Sequence, residues 1–263
     1  MKLMTYNILD GGHDFDAVLE TIKTEKPDFL TINEANGFDE NNNQKLKEFA
    51  EKTGFSHFHL ALSGEDDYHV AVFSKLPLRE IREITPLARA GILVVIDSDF
   101  GEICLLGTHL TPYGEDLRMA EINLLISAQT PYANKILMGD MNSLAKSEQY
   151  SVKVFSEKQA TKFVNDNQIR YDVTERILSS GYIDTAVLCD TRDTTVPTPV
   201  NRDPYHAELR LDYIFVSDSL RENVASYSVV KNALTDKASD HYPIVVSLDL
   251  QDTNAPQPRS LKI

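Results

Sequence analysis

The sequence has little positive charge. Its 263 residues include 26 Lys and Arg against 40 Asp and Glu, which gives a formal net charge of −14. Duplex nucleic acids are bound largely through Lys and Arg against phosphate, and no basic stripe is present here, since a segment such as KLKEFAEK mixes both signs. The composition therefore excludes a protein that coats DNA electrostatically. It still permits an enzyme that cleaves phosphate esters, because a divalent cation can offset an acidic site.

Long apolar runs and interdomain linkers are also missing. No run approaches the roughly 20 apolar residues that a membrane helix needs, so we expect no membrane span. The N-terminal segment has one Lys and no apolar core, unlike a secretion signal, and we expect a cytoplasmic protein, present as a monomer. No internal segment is rich enough in Gly, Ser or Pro to separate domains. We therefore expect one domain over residues 1–250, followed by a polar tail with two prolines at 251–263.

Cysteine is scarce. Cys104 and Cys189 lie far apart in the sequence, each within an apolar run. This pattern predicts two buried free thiols in a protein of a reducing compartment, with a disulfide as the alternative.

The first elements follow a strand–helix–strand order. Residues 2–8 are typical of a buried strand, and Phe15, Val18, Leu19 and Ile22 then recur with the spacing of one helix face. Pro27 ends that helix, and DFLTIN forms a second strand. Strand, helix and strand within about thirty residues predict a right-handed parallel crossover unit.

The remainder of the chain contains more strands than helices. Further predicted strands are FSHFHLAL, YHVAVFSK, GILVVIDSD, EICLLGTHL, KILMG, YIDTAVL, LDYIFVS, VASYSVV and YPIVVSLDL, with DSDFG as a hairpin connection. Further helices are predicted at about 43–52, 115–128 and 171–180, with Gly54 and Gly181 as stops and with Leu117, Leu124 and Leu125 on one side of the second helix. Helices separate only some of the strands. This order predicts an α/β fold in which two sheets pack together with helices outside them.

Polar residues occur at strand ends, where a soluble core does not need them. They are Asn7, Glu34, His109, Asp140 followed by Asn142, Asp212 at the start of a strand, and the triplet Ser239-Asp240-His241 before the last strand. Strand ends can converge on one rim of a layered fold, and carboxylates crowded there repel one another unless a hard cation lies among them. Each feature alone also has an ordinary explanation: GDMN is a turn sequence, and a lone His is more often structural.

The order of these segments resembles that of the endonuclease/exonuclease/phosphatase superfamily, which has the DNase I-like fold. The matching segments are TYN at 5–7, INE at 32–34, VAVFSKLPL at 70–78, THL at 108–110, MGDMN at 138–142, LDYIFVS at 211–217 and SDHYPI at 239–244. They span nearly the whole chain. The resemblance implies a four-layered α/β sandwich of two packed mixed sheets flanked by helices. It also implies a phosphoester hydrolase of the phosphodiesterase or nuclease type, in which water attacks a phosphoryl group. The resemblance implies that this enzyme uses magnesium, with manganese as an alternative.

The resemblance assigns a role to each polar strand end. Asn7, Glu34 and Asp240 would surround the divalent cation, with water and phosphate oxygens completing its shell. Asp140 would orient or deprotonate the attacking water, and Asn142 would hold a phosphate oxygen.

The two histidines would act on the phosphoryl group. His241 would stabilise the charge that builds there, and Asp212 would fix its imidazole and favour the charged form. His109 would donate a hydrogen bond to a non-bridging oxygen or protonate the leaving group.

Several further residues have two open interpretations. Arg118 resembles an arginine that follows THL in deadenylase-like and tyrosyl-DNA-phosphodiesterase-like branches, or it forms a salt bridge on a helix surface. Asp67 or His69 either partners His109 or has a role in its loop. Tyr113 and Tyr205 either stack on a base or pack. We expect specificity to reside in the loops 36–43, 110–116, 143–170 and 190–209.

The substrate stays open among phosphate esters, including nucleic acids and nucleotides. The main alternatives are a phosphomonoesterase of nucleotides or inositol phosphates, a DNA-repair nuclease, a phospholipid phosphodiesterase and a binding module without activity. Abasic-site nucleases carry an acidic residue two positions after the first Asn, where this chain has Leu9, and often Tyr at the position of His109. Both differences and the negative charge argue against that branch.

Overall fold

The computed structural model describes residues 1–65, 67–200 and 207–250. The strands are β1 (Lys2–Asn7), β2 (Phe29–Asn33), β3 (His57–Ala61), β4 (Val70–Ser74), β5 (Glu80–Glu83), β6 (Ala90–Ser98), β7 (Gly101–His109), β8 (Lys135–Asp140), β9 (Val164–Asn165), β10 (Gln168–Ile169), β11 (Tyr182–Asp184), β12 (Asp212–Ser217), β13 (Val224–Val229) and β14 (Ile244–Leu248). The α-helices are α1 (Phe15–Glu25), α2 (Glu40–Thr53), α3 (Glu115–Gln129), α4 (Glu157–Phe163), α5 (Asp172–Ser179), α6 (Thr185–Leu188) and α7 (Thr235–Ala238). Three short 3₁₀ helices lie at Lys146–Glu148, Val152–Val154 and Asp218–Asn223.

Two mixed six-stranded sheets form the centre of the molecule. Sheet I has the strand order β13-β14-β1-β2-β4-β3, and sheet II has the order β11-β12-β8-β7-β6-β5. β1 pairs with β2 in parallel, as the sequence predicts for a crossover unit, and β7 pairs with β8 in parallel. The other pairings within these two sheets are antiparallel. The predicted hairpin joins β6 to β7, where Ser98 is the register partner of Gly101.

Side chains alternate between two cores along each buried strand. Leu3 and Phe29 of sheet I meet Leu105 and Ile136 of sheet II in the layer between the sheets. The opposite face of sheet I packs on α1 and α2, and that of sheet II packs on α3 and α5. Because both faces of the central strands are covered, β1, β2, β4, β8 and β12 are buried along almost their whole length, whereas β5 at one edge is exposed. The predicted four-layered α/β sandwich is confirmed.

The two sheets approach each other closely at Gly107 of β7. A Cβ atom there would lie 2.7 Å from the hydroxyl oxygen of Thr31 on β2. Any larger residue would push the sheets apart near the ends of their strands. Glycine is therefore required at this point of β7.

Two predicted elements are wrong in detail. Leu117 and Leu124 of α3 are exposed, and the helix instead buries Arg118, Glu121 and Leu125. The segment YIDTAVL is a strand only to Asp184, whose side chain then caps α6 by accepting from the backbone N–H of Ala186 at 3.0 Å.

Two further predictions need correction. The loop predicted at 143–170 contains α4, which begins with a capping box between Ser156 and Gln159. Both cysteines are free, and Cys104 is buried as predicted, but Cys189 is half-buried. The predicted tail at 251–263 lies outside the described residues. No helix in the described part of the chain is long and apolar enough to cross a membrane.

Candidate active site

Three of the predicted residues share one row of sheet II. His109 of β7 is the register partner of Asp140 on β8, and Asp140 is the partner of Asp212 on β12. Gly139 allows this arrangement, because it has a φ of +142° and a Cβ there would lie 1.8 Å from the carbonyl oxygen of Thr108. Sheet register alone therefore aligns these three polar side chains at one rim.

Sheet I carries the other predicted residues to the same rim. β1 ends at Asn7, and Glu34 follows β2 with a φ of +57°. Asp240 and His241 precede β14, and the hydroxyl of Ser239 donates to the carbonyl oxygen of Asn7 at 2.7 Å. The site is therefore built from both sheets.

Asn33 joins the two halves of the site and was missed by the sequence analysis. Its side-chain Nδ2 donates to the carbonyl oxygen of Thr108 at 2.8 Å, and its Oδ1 accepts from the backbone N–H of Asp140 at 3.1 Å. Asn33 lies on β2 and both partners lie on sheet II, so one buried amide bridges the sheets. It directly precedes Glu34 in the segment INE, which was the available signal.

The Asp140 carboxylate lies at the centre of the site and is 2% exposed. Its Oδ1 accepts from the backbone N–H of Asn142 at 2.8 Å, and its Oδ2 accepts from Nδ2 of Asn7 at 3.2 Å. Nε2 of His109 lies 3.5 Å from Oδ2, and Nε2 of His241 lies 3.9 Å from it. Burial raises the pKa of Asp140, and the Asp212 carboxylate adds to that rise.

His241 and Asp212 form a buried pair. Nδ1 of His241 lies 2.8 Å from Oδ2 of Asp212, although the two residues are 29 positions apart. Burial acts to lower the pKa of His241, but the attraction and hydrogen bond of Asp212 outweigh it and hold the pKa well above its ordinary value. The imidazole is therefore charged near neutral pH, with Nε2–H directed toward the Asp140 side.

His109 is neutral and held by Asn142. Nδ2 of Asn142 donates to the carbonyl oxygen of Leu110 at 3.0 Å and lies 3.1 Å from Nε2 of His109, which therefore accepts. Burial lowers the pKa of His109 to about 4. Its Nδ1 has no partner among the described residues. Both side-chain N–H groups of Asn142 are thus engaged within the protein, so its predicted contact with a phosphate oxygen requires a rearrangement.

Glu34 and Asn7 lie beside Asp140. Nδ2 of Asn7 donates to Oε1 of Glu34 at 3.1 Å, and the backbone N–H of Asp10 donates to Oε2 at 3.1 Å. Burial raises the pKa of Glu34 against these two hydrogen bonds. Oδ1 of Asn7 accepts from the backbone N–H of Leu9 at 3.2 Å, which leaves one lone pair for a further contact.

A cavity of about 280 Å³ opens at this rim. Its lining residues are Glu34, Tyr68, Arg89, His109, Pro112, Asp140, Asn142, Gln159, Lys162, Phe163, Val196, Pro197, Leu209, Leu211, Asp240 and His241. One space is therefore bordered by three of the predicted carboxylates, by both predicted histidines and by two cations, whereas Asp212 reaches it through His241. Arg89 and Lys162 were missed, because nothing in their local sequence distinguishes them from surface Lys and Arg.

The donor set fits a divalent cation. Asp140, Asp212 and His241 each offer an atom to a metal, and these three atoms lie within 4.8 Å of one another. Nδ1 of His241 is already engaged with Asp212, whereas Glu34 and Asp240 present carboxylates to the same cavity. The raised pKa values of Glu34 and Asp140 show buried carboxylates that lack sufficient positive charge. Oxygen-rich carboxylate sites of this kind suit magnesium.

A family model described as the endonuclease/exonuclease/phosphatase family matches residues 4–241. The chain belongs to this family. Membership supports a phosphoester hydrolase in general terms, since the family's name covers nucleases and phosphatases. No curated protein matches the sequence.

Solved structures of similar fold include three with low sequence identity. A member of the endonuclease/exonuclease/phosphatase family from Leptotrichia buccalis is 21% identical, with a TM-score of 0.69 over 95% of this chain and 100% of that one. An AP endonuclease from Archaeoglobus fulgidus is 19% identical, with a TM-score of 0.70 over the same shares of the two chains. The 3' phosphatase NExo from Neisseria, bound to a product DNA hairpin, is 15% identical, with a TM-score of 0.71 and the same shares. These likenesses concern the DNase I-like fold.

Arg118 lies behind the cavity of this family member. It is fully buried, pairs with Glu115 at 2.9 Å and donates to the carbonyl oxygens of Thr111 at 3.2 Å and Lys162 at 2.7 Å. Arg118 therefore forms the salt bridge of the second interpretation, but the bridge is buried and not on a surface, and Arg118 is not among the residues that line the cavity. It fixes the end of α4.

The loop before β4 has its own internal contacts. Nδ1 of His69 accepts from the backbone N–H of Ser63 at 3.0 Å, and its Nε2 lies 3.3 Å from Oδ1 of Asp39. Asp67 accepts from the backbone N–H of His69 at 2.7 Å. His69 therefore supports the loop and does not partner His109. Tyr113 is 56% exposed, and Tyr205 lies outside the described residues.

Proposed function

We propose that this chain is a divalent-metal-dependent phosphoester hydrolase that directs water onto a phosphoryl group. The observation that carries the proposal is the charged His241–Asp212 pair, whose Nε2 lies 3.9 Å from Oδ2 of Asp140 across a cavity that Glu34 and Asp240 also line. A permanently charged imidazole facing a carboxylate-lined cavity suits an anionic substrate that arrives with a cation.

Glu34 and Asp240 would hold the cation, and Asn7 would align Glu34 through its amide. Magnesium, or manganese in its place, supplies positive charge to phosphate oxygens when bound. The hydrogen bond from the backbone of Asp10 limits the rotation of the Glu34 carboxylate. We retain Asn7 as a residue of the metal site, with its free lone pair on Oδ1 as the available donor.

Asp140 would accept the proton of the attacking water. Its pKa is raised by burial and by Asp212, which makes it a stronger base than an exposed aspartate. Each oxygen of the Asp140 carboxylate accepts one hydrogen bond, Oδ2 from Asn7 and Oδ1 from the backbone of Asn142. These bonds fix the orientation of the carboxylate. Orientation of this kind favours attack from a single direction.

His241 would stabilise the negative charge that develops on the phosphoryl group. Its Nδ1–H is fixed on Asp212, which leaves Nε2–H as the donor toward the cavity. His109 would contact a substrate oxygen through Nε2 after release from Asn142, because its Nδ1 is buried. Its pKa of about 4 means that it does so as a neutral ring.

Nucleic acids or nucleotides are the substrates we favour. The similar structures from Archaeoglobus fulgidus and Neisseria are an AP endonuclease and a DNA-bound 3' phosphatase, which supports this class. Inositol phosphates are the second candidate. We further propose a cytoplasmic monomer, in agreement with two free thiols.

The first experiment tests the metal. Hydrolysis of a panel of nucleotides, inositol phosphates, short single strands and a phosphotyrosyl-DNA ester is measured with magnesium, with manganese and in chelator. We expect turnover with either metal and none in chelator. Glu34→Gln should raise the magnesium concentration for half-maximal activity at least tenfold, roughly the loss of one charged ligand.

Glu20→Gln is the matched control, since Glu20 is an exposed carboxylate on α1. Its magnesium dependence should equal that of the unmodified protein. Full turnover in chelator would refute the metal requirement, and an unchanged magnesium dependence in Glu34→Gln would remove Glu34 from the metal site.

A further inference from the structure

Two cations line the cavity, and neither has a role in the chemistry proposed above. Arg89 immediately precedes Ala90, the register partner of His109. Lys162 lies near the end of α4. Both side chains border the same space as Asp140 and His241.

The Arg89 guanidinium is buried, oriented and largely unused. It is 6% exposed, and its Cζ lies 3.6 Å from the ring centroid of Tyr68. Its hydrogen bond to the carbonyl oxygen of Glu65 is long, at 3.5 Å. A guanidinium has five N–H donors, and within the described part of the chain Nε has no partner and no carboxylate forms a salt bridge with the group. Stacking on Tyr68 therefore holds an unpaired cation in a fixed plane.

Lys162 is held in place by its backbone while its ammonium group lacks a carboxylate partner among the described residues. The capping box at Ser156 begins α4, and Arg118 binds the carbonyl oxygen of Lys162. Burial lowers the pKa of Lys162 against the attraction of Asp140. A half-buried cation of this kind needs an anionic partner.

The other large buried cations contrast with these two. Arg118 pairs with Glu115, and Arg210 pairs with Asp184 and Glu148. Unpaired buried charge is costly, and proteins retain it mainly where a ligand compensates it. Arg89 and Lys162 therefore indicate an anionic ligand group in the cavity.

The walls of the cavity limit what can enter. α4 contributes Gln159 and Phe163 to the lining, and Val196 and Leu209 line it from the same apolar cluster as Phe163. A phosphodiester within a nucleic acid strand has the rest of the substrate attached to two of its oxygens. A terminal phosphate has it attached to only one. A bounded cavity of about 280 Å³ favours the terminal group.

Charge favours the same conclusion. A phosphate monoester carries about −1.5 to −2 charges near neutral pH, and a diester carries one. Two cations beyond the metal and His241 match the monoester better. Guanidinium groups also bind two phosphate oxygens at once.

We propose that the enzyme is selective for terminal phosphate monoesters, and that Arg89 and Lys162 bind the non-bridging oxygens of that group. The inference rests on the proposed hydrolase function. Water forms the new P–O bond, the P–O bond to the alcohol breaks, and the proton that Asp140 accepts passes to the leaving alkoxide. The products are inorganic phosphate and the alcohol.

The test compares p-nitrophenyl phosphate with bis-p-nitrophenyl phosphate in magnesium. These substrates share a leaving group and differ in the number of ester bonds. We expect kcat/KM for the monoester to exceed that for the diester by about tenfold or more. Arg89→Met and Lys162→Met should each lower the monoester value about tenfold, as expected for a lost charged contact, and change the diester value little. Arg89→Lys should recover part of the loss.

Lys158→Met is the matched control, because Lys158 is exposed and lies one turn before Lys162 on α4. It should leave both substrates unaffected. Binding of inorganic phosphate, measured calorimetrically with magnesium present, gives a readout without turnover and should weaken in Arg89→Met and Lys162→Met. Thermal unfolding of each variant identifies any loss of fold. If Arg89→Met does not fold, Arg89→Lys is compared with the unmodified protein in its place.

The outcomes separate the two proposals. Absence of hydrolysis of every phosphate ester with either metal would overturn the hydrolase function. Hydrolysis with the diester preferred, equal losses on both substrates, or unchanged phosphate binding in both methionine variants would overturn monoester selectivity alone.

Discussion

The charge state of His241 depends mainly on Asp212, with Asp140 and Asp240 also raising its pKa against burial. Asp212 holds Nδ1 at 2.8 Å, and its second oxygen, Oδ1, has no partner in the described part of the chain. Two backbone N–H groups, those of Leu211 and Asp212, donate to the hydroxyl of Thr195 at 3.0 and 3.3 Å and fix the start of β12. The pair is therefore one bonded unit, in which we propose Asp212 as the positioning residue and His241 as the group that meets substrate.

A double-mutant cycle tests this coupling. His241→Ala should lower kcat/KM by an amount that corresponds to about 3 kcal/mol of transition-state stabilisation. This is the order of magnitude for the loss of one preorganised hydrogen-bond donor. Asp212→Asn should cost less, because it removes charge and orientation but leaves the imidazole in place. The double mutant should be much less impaired than the product of the two single defects predicts. The reason is that the effects of two substitutions are not additive when the residues act as one unit.

Thr195→Val serves as a comparison variant, since it alters the support of β12 and leaves both partners intact. It should lower stability more than it alters the coupling. Simple multiplication of the two single defects would show that Asp212 has a structural role unrelated to His241.

The sequence predicted these residues because their order matches a family pattern. Asp140, Asp212 and His241 fall within MGDMN, LDYIFVS and SDHYPI. In the structure Asp140 and His241 line one cavity, and Asp212 holds His241 from behind. Asn33 lies within the matching segment INE but was given no role there, and Arg89 lies outside the matching segments. Their importance arises from contacts across 107 positions in Asn33 and from stacking on Tyr68 in Arg89. Periodicity and local spacing cannot report contacts of that kind.

Helix α3 is anchored by polar side chains instead of an apolar stripe. Oε1 of Glu115 accepts from the backbone N–H of Val173 at 3.0 Å, and its Oε2 accepts from Ser143 at 3.2 Å and from Arg118. Arg118 continues the network to Lys162 on α4. One ion pair therefore connects α3 with α4, α5 and the segment that follows β8.

The same network explains the wrong prediction for α3. Three leucines were predicted to share one side of the helix, but of these only Leu125 is buried. The polar residues Arg118, Glu121 and Gln129 take the other buried positions beside the isoleucines. Glu121 accepts from the backbone of Ala88 and Thr111 at 2.8 Å each. A prediction from apolar spacing assigns polar residues to the exposed face of a helix. It therefore gives the wrong buried face when a helix buries polar groups that have hydrogen-bond partners.

Arg118→Met should destabilise the protein by about 3–5 kcal/mol, because it leaves Glu115 as an unpaired buried charge. Hydrogen exchange of residues 157–163 should accelerate, since α4 loses its contact with Arg118. The measurements are denaturant unfolding and exchange followed by mass spectrometry. Glu115→Gln combined with Arg118→Met should recover part of the loss.

Arg221→Met is the matched control. Arg221 and Asp218 have the same i,i+3 spacing as the buried pair, but their side chains are 45% and 77% exposed. The change should cost less than about 1 kcal/mol. Equal losses in Arg118→Met and Arg221→Met would contradict the anchoring role of the buried pair.

At the scale of the whole molecule, the site depends on the alignment of two sheets. Glu34, Asp240 and His241 belong to the sheet I side, whereas His109, Asp140 and Asp212 end strands of sheet II. Asn33 crosses between them, and Gly107 lets them approach. The fold class was predictable from strand order, but the alignment was not, because it depends on inter-sheet contacts that leave no periodic trace.

Asn33→Leu tests the alignment. It removes both inter-sheet hydrogen bonds of Asn33 and leaves the carbonyl of Thr108 and the N–H of Asp140 unsatisfied. Each unsatisfied group should lower the free energy of unfolding by about 1–3 kcal/mol. The kcat should fall by at least about tenfold, because a misplaced Asp140 loses the geometry of attack. Steady-state kinetics and thermal unfolding measure the two effects.

Asn134→Leu is its counterpart at the other end of β8. Asn134 also donates two side-chain hydrogen bonds, to the carbonyl oxygens of Phe100 and Glu102, within sheet II. This variant should lose stability and retain its kcat. Normal turnover in Asn33→Leu would show that the sheets align without the bridge.

The position of β1 between β2 and β14 has a consequence for synthesis on the ribosome. Residues 2–74 supply four strands of sheet I, residues 80–217 supply sheet II, and β13 and β14 return to complete sheet I. A nascent chain therefore exposes the free edge of β1 until residues 244–248 emerge, and such edges invite association with other chains. Asp240 and His241 arrive at the same time as that last strand. His241 and the strand that closes the sheet are therefore synthesised at the same time. A chain that is still being made has no complete site.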